Sequence, residues 1–175
     1  VENAIRSTKS LCGLTYDGSL RKTVKPLPRI IYRLNKLRWR LTNPITVGVR
    51  LILNNNQQIL LVKHTYQQHW YLPGGGVRKG ETIEQATRRE AAEELGAELM
   101  HLRLFGVYTN FYDHKNDHVI VFACDDFTFT GETDDEIERF SFFGFNDLPK
   151  RISPGSLRRL KEYVTRDGGP TVDVW

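Results

Sequence analysis

The sequence predicts an α/β protein in which a mixed sheet lies between helical layers. Apolar residues alternate in strand fashion over several segments from Ile45 onward, and these segments are interrupted by one helix-forming stretch and closed by another. Size supports a single domain. A chain of 175 residues, 39% hydrophobic and 26% charged, can build one compact domain with a sizeable core.

The elements follow in chain order. Ile45 to Leu53 and Ile59 to Lys63 flank Asn54-Asn55-Asn56, a natural turn, and form a hairpin that leads into a glycine run. Next comes a short helix carrying Arg89, Glu90, Glu93 and Glu94. Leu102 to Phe111, His118 to Phe129 and Phe140 to Phe145 supply further strands, with Asp113 to Asp117 as a polar turn. Ser153-Pro154 opens a last helix through Tyr163, since proline suits a first helical turn.

Charge divides the chain into two regions. Residues 1–44 hold ten Lys or Arg against Glu2 and Asp17, a net of +8, whereas residues 45–175 hold 15 against 19, a net of −4. After Pro26 and Pro28, the residues Ile30, Leu34, Leu37 and Leu41 recur at helical spacing between basic side chains. This predicts a basic amphipathic helix that ends before Pro44. Its apolar stripe is expected to pack on the protein's own core or on a second subunit, as in a homodimer. Contact of residues 21–40 with RNA or an anionic membrane is the alternative. Residues 1–25, poor in large apolar side chains, are expected to be loosely attached.

No apolar run approaches the length of about 20 residues that spans a bilayer, and the N-terminus lacks the apolar core of a secretory signal. A cytoplasmic location is expected. Cys12 and Cys124 lie far apart, and Cys124 falls in an apolar strand pattern where a buried, inert thiol is the usual case.

The stretch from Gly75 to Ala97, GGVRKGETIEQATRREAAEELGA, carries the chemistry. At i, i+3 and i+4 of a helix, Glu90, Glu93 and Glu94 share one face, where like charges repel unless a cation sits among them. Hard oxygen donors at this density suit Mg²⁺, with Mn²⁺ as a substitute, better than zinc. Mg²⁺ held this way usually keeps substrate phosphate oxygens as further ligands, so a phosphate-bearing substrate is expected too. The bland alternative is a solvated face stitched by the i,i+4 pairs Glu84–Arg88 and Arg89–Glu93. Against it stands the run Leu72-Pro73-Gly74-Gly75-Gly76, which no helix or strand interior would choose.

These residues resemble the Nudix (MutT-like) hydrolases. The family's signature fits Gly75, Glu81, Arg89, Glu90, Glu93, Glu94 and Gly96 in register, with alanines at the two aliphatic positions, Ala91 and Ala97. The resemblance covers about residues 45–165 and implies an α/β/α sandwich, with 45–175 as the hydrolase domain and 1–44 as a basic extension. It implies Glu90 and Glu94 as metal ligands, Glu93 as a further ligand and the Gly74 carbonyl as a backbone ligand. Arg89 is implied to orient a glutamate, and Glu81 to brace the loop.

The general base is left between Glu93 on the helix and the acidic segment 132–136, with Glu136 or Glu132 as its candidates. His114 and His118 flank the polar turn and are expected to have surface roles. The resemblance also implies a nucleoside diphosphate linked to another moiety as substrate. ADP-ribose hydrolases of the family carry a proline fifteen or sixteen residues past the signature, where this chain has Tyr112 and Asp113, a difference that disfavours ADP-ribose. Trp70, Tyr71, Tyr108, Phe111 and Tyr112 are candidates for stacking on a base, Tyr108 and Tyr112 foremost. Two other functions compete with this one: a non-hydrolytic nucleotide-binding sensor, and an RNA 5′-end pyrophosphohydrolase gripping the strand with the basic arm.

Overall fold

The computed structural model describes residues 5–6, 42–112 and 115–175. The predicted helix at 30–41, most of the basic arm, Cys12 and the side chains of Tyr112 and His114 lie outside the described residues. The strands are β1 (Ile5–Arg6), β2 (Ile45–Asn55), β3 (Gln58–His64), β4 (Trp70–Tyr71), β5 (Ala97–Leu99), β6 (Arg103–Tyr112), β7 (Lys115–Cys124), β8 (Phe127–Phe129), β9 (Ile137–Gly144) and β10 (Thr171–Val174). The helices are α1 (Ile83–Leu95) and α2 (Pro154–Thr165).

The main sheet runs β10-β6-β7-β2-β3-β4, with β9 on the other flank of β3. It is mixed, because β2 pairs with β7 in parallel and β6 with β7 antiparallel. A small sheet, β1-β8-β5, lies apart from it. One core layer packs Leu51, Leu53, Leu60 and Val62 against Ala91 and Leu95 of α1. A second packs Ile52, Leu61, Tyr108 and Val121 against Leu160 of α2. The mixed sheet is therefore covered by a helix on each face, as the α/β/α expectation requires.

Several boundaries differ from the sequence reading, each for a local reason. The hairpin turns at Asn56-Gln57, both with positive φ, because Asn55 still pairs with Gln58 in the ladder. The stretch expected as one strand from His118 breaks at the exposed Asp125-Asp126, separating β7 from β8. The polar turn expected over 113–117 is shorter, since β7 begins at Lys115. The short strands β4, β5 and β10 hold too few residues to show a period.

β2 and β3 pair only at Asn54↔Ile59 and Asn55↔Gln58 before they separate. The glycine run enters the gap and bonds to β2 in the place of a strand. Leu51 N donates to Pro73 O (2.9 Å), Val49 N to Gly75 O (2.9 Å) and Val77 N to Val47 O (2.9 Å). So close an approach demands glycine at 74, where φ is +127° and a Cβ would lie 2.3 Å from the Val49 carbonyl oxygen. Gly76 faces open space. Gly74→Ala is expected to destabilise the fold by about 1–3 kcal/mol, whereas Gly76→Ala should stay within about 0.5 kcal/mol, both read by urea denaturation.

Candidate active site

The chain leaves the glycine run and enters α1 through a capping box. Thr82 Oγ1 accepts from Gln85 N (3.1 Å) while Gln85 Oε1 accepts from Thr82 N (2.8 Å). The helix stops at Gly96, whose left-handed backbone (φ 59°) places its N–H on the Ala91 and Ala92 carbonyls. Ala91 and Ala97, at the two aliphatic positions of the signature, are both buried. These caps fix the stretch on which the glutamates ride.

Arg89 is the hub of the site. Its Nε and Nη2 donate to the two oxygens of Glu81 (2.7 and 3.1 Å), Nη1 to Glu90 (2.7 Å) and Glu93 (2.9 Å), and Nη2 also to the Gly76 carbonyl (3.0 Å). One guanidinium thus ties three carboxylates to the glycine loop. The fork to Glu81, with burial opposing it, holds the Arg89 pKa well above its ordinary value. Glu81 moves the other way, lowered to about 2 by the Arg89 fork and then by the Arg78 backbone N–H. Glu84–Arg88 also pairs, but Arg88 additionally donates to the Leu99 carbonyl, outside the site.

The three helix glutamates are held separately. Glu94 is buried, accepting from Gly74 N (2.8 Å) and lying 3.3 Å from His64 Nε2. Glu93 turns outward to Arg89 and Arg78. Glu90 lies under Gly75, where a Cβ would come within 2.5 Å of its carboxylate. Burial raises the Glu90 pKa, Arg89 opposes this, and the neighbouring charges of Glu94 and Glu93 add to the rise. The three carboxylates line one cleft, although among the described residues no three His, Cys, Asp or Glu side chains form a ready metal cluster. Each carboxylate is already engaged, Glu90 and Glu93 sharing Arg89 Nη1 and Glu94 accepting from Gly74 N. The chemistry of the set nevertheless fits a hard divalent ion: carboxylate and carbonyl oxygens only, with the half-buried Glu90 charge disfavoured by burial and by its acidic neighbours.

These groups line a cleft of about 370 Å³. Opposite α1 stands the segment 130–137, tied to the helix end by Gly131 N to Leu95 O (3.1 Å) and Asp134 N to Glu93 O (3.1 Å). Glu136 lines the cleft and is fixed three ways: its N–H donates to Asp134 Oδ1 (2.9 Å), its carbonyl accepts from Thr65 N (2.9 Å), and its carboxylate accepts from Tyr66 Oη (3.2 Å). Burial raises the pKa of Asp134, another lining residue. Glu132 is exposed and is not among the lining residues.

Tyr108 requires a correction. It is fully buried beneath α2, its hydroxyl shared between the Glu162 oxygens (3.1 Å each) and its ring covered by the Arg159 guanidinium. It lines no part of the cleft, so the substrate-stacking role is not carried forward. His118 faces Thr109, away from the cleft (3.2 Å). Cys124 is buried, as expected. Sequence reasoning missed Arg50, His64, Tyr66 and Arg78, all of which line the cleft. Only Arg50 left a trace, as a charge within an apolar strand.

Comparison with known proteins now decides the family. A NUDIX domain family model matches residues 42–163. The chain belongs to the Nudix hydrolase family. An ADP-ribose pyrophosphatase of Methanocaldococcus jannaschii is 34% identical over 146 residues, covering 81% of this chain and 86% of that protein. An RNA pyrophosphohydrolase of Psychromonas ingrahamii is 41% identical over 69 residues, covering 39% of this chain and 38% of that protein. A MutT NUDIX hydrolase from Burkholderia pseudomallei superposes with a TM-score of 0.61 at 27% identity, covering 67% of this chain and 96% of that one. No described helix of this Nudix chain is long and apolar enough to cross a membrane.

The Glu81–Arg89 fork makes the Glu81 carboxylate titrate near pH 2 in the folded chain, against about 4.5 unfolded. Because the folded pKa is depressed, the stability contributed by this charge is present above about pH 4.5 and is lost as pH falls through about 2. Carboxyl-detected NMR titration should find that midpoint, and Arg89→Met should return it toward 4.5.

Proposed function

We propose that this Nudix hydrolase is a pyrophosphohydrolase dependent on Mg²⁺, with Mn²⁺ as a substitute, that cleaves a nucleoside diphosphate linked to another moiety. The observation that carries this reading is the Arg89 clamp, which sets Glu90 and Glu93 beside the glycine loop while Gly74 N and His64 hold Glu94. Glu90, Glu93, Glu94 and the Gly74 carbonyl would hold the ion. When bound, it supplies Lewis-acid neutralisation of phosphate charge.

The chain's own residues do the rest. Arg89 holds Glu81, Glu90 and Glu93 in place, while Gly76, which faces open space, lets backbone approach the phosphates without a side chain intervening. Glu136 takes the proton of the attacking water. This assignment is preferred to Glu93 because one Glu93 oxygen already serves both Arg89 and Arg78, whereas among the described residues the Glu136 carboxylate accepts from the Tyr66 phenol and from no cation.

Substrate class is argued from the extent of each match. The ADP-ribose pyrophosphatase match runs over 81% of this chain, whereas the RNA pyrophosphohydrolase match is confined to 39%. A nucleotide derivative of small-molecule size is therefore preferred to an RNA end. Tyr112 and Asp113, standing where ADP-ribose hydrolases carry proline, weigh toward a moiety other than ADP-ribose.

The test is a screen of the purified chain against nucleoside triphosphates, nucleotide sugars, ADP-ribose, dinucleoside polyphosphates and triphosphorylated RNA, with Mg²⁺ or Mn²⁺. Turnover confined to RNA would replace the small-molecule reading. No turnover of any diphosphate would end it. Glu94→Gln is expected to lower kcat at least about 100-fold with unchanged thermal melting, since Gln can still face His64 and Gly74 N. Glu136→Gln should lower kcat about 100-fold or more with KM little changed, an assignment that fails if Glu93→Gln does this instead.

A further inference from the structure

Arg50 sits in a strand that should not hold a charge. Its neighbours Val49, Leu51, Ile52 and Leu53 are fully buried, so the side chain must carry its head out to the cleft. There Nη1 donates to two backbone carbonyls, Val49 O (3.1 Å) and Gly74 O. The other arginine lining the cleft, Arg78, pairs with Glu93, and Arg89 behind the wall closes on Glu81, Glu90 and Glu93. Arg50 forms no ion pair among the described residues, although Glu90, Glu93, Glu94, Asp134 and Glu136 line the same cleft.

A guanidinium on a rigid strand, held by neutral carbonyls beside carboxylates engaged elsewhere, keeps its charge for an incoming anion. We propose that Arg50 grips the diphosphate of the substrate from the β2 wall, opposite the glutamates of α1. This rests on the reading under Proposed function. Its planar fork matches phosphate oxygens, and its place on β2 fixes where along the cleft the diphosphate lies. Gly74 O is also the carbonyl that would ligate the ion, so Arg50 and a divalent ion would compete for it. A residue that merely braced the loop would help the ion bind.

Two full-length variants test this, Arg50→Gln and Arg50→Lys, the second keeping the charge should the first fail to fold. Binding of α,β-methylene ADP in Mg²⁺ is measured by calorimetry, and Mn²⁺ binding without nucleotide by electron paramagnetic resonance. Arg50→Gln should weaken the analogue about tenfold or more, with Arg50→Lys intermediate, while Mn²⁺ affinity stays equal or tightens. Unchanged analogue affinity, or a parallel loss of Mn²⁺ affinity, overturns the assignment. If the wild-type chain binds the analogue in this Arg50-dependent way yet hydrolyses no diphosphate, the proposed function fails while the Arg50 assignment stands. If it hydrolyses diphosphates but Arg50→Gln binds the analogue normally, only the assignment fails. No analogue binding by the wild-type chain overturns the assignment, while the proposed function stands or falls on turnover in the diphosphate screen.

Discussion

The separation of β2 from β3 is the constraint on which the site depends. The two strands share only the base of their hairpin, and the edge of β2 beyond it is paired by backbone of the glycine run. Unpaired strand groups at this depth would cost as much as lost hydrogen bonds, so the loop completes the sheet. A loop that must behave as a strand is not free to move. That rigidity fixes the Gly74 N–H on Glu94 and the Gly76 carbonyl on Arg89. The turn and α1 therefore register against each other through the sheet.

Electrostatics then sets the spacing of the glutamates. Carboxylates crowded on one side of a helix repel, and the chain answers with one guanidinium shared among Glu81, Glu90 and Glu93 and with dipolar donors around Glu94. Such a network contributes little net stability, because desolvation offsets most of the attraction. What it provides is geometry. Glu94 faces into the fold, Glu93 faces out, and Glu90 sits beneath the loop, so three side chains close in sequence occupy three different environments.

The parts legible in the sequence were those written in local pattern. The β2–β3 hairpin, α2 from Pro154, the helix with its glutamates and the glycine turn before it all follow from periodicity, turn chemistry and spacing. The strand ran two residues further than expected and moved the turn to Asn56-Gln57, because Asn54 and Asn55 are as content in a ladder as in a turn. The break at Asp125-Asp126 was hidden inside an apolar run. Site residues contributed by distant strands were illegible. His64 reads as the end of an ordinary strand, and Tyr66 and Asp134 as loop polarity; the pairing of β3 with β9 and the bonds from 131 and 134 to the end of α1 bring their segments to one cleft. Tyr108 misled for the opposite reason, since an aromatic residue on an alternating strand serves the core or a ligand equally well until the sheet's faces are known.

The parallel pairing of β2 with β7 has a consequence for the order of assembly. Ile45 meets Asn116 and Leu53 meets Cys124, so the strand that carries the glycine loop is secured on its other side only by a segment made much later. Local hydrogen bonds can form α1 early, but the floor beneath its glutamates waits for a long loop to close. A nascent chain that has emerged only through Ala97 holds the whole signature yet has no β7 to carry it. The chemistry encoded in twenty-odd consecutive residues is thus, in folding terms, a late and non-local property of the chain.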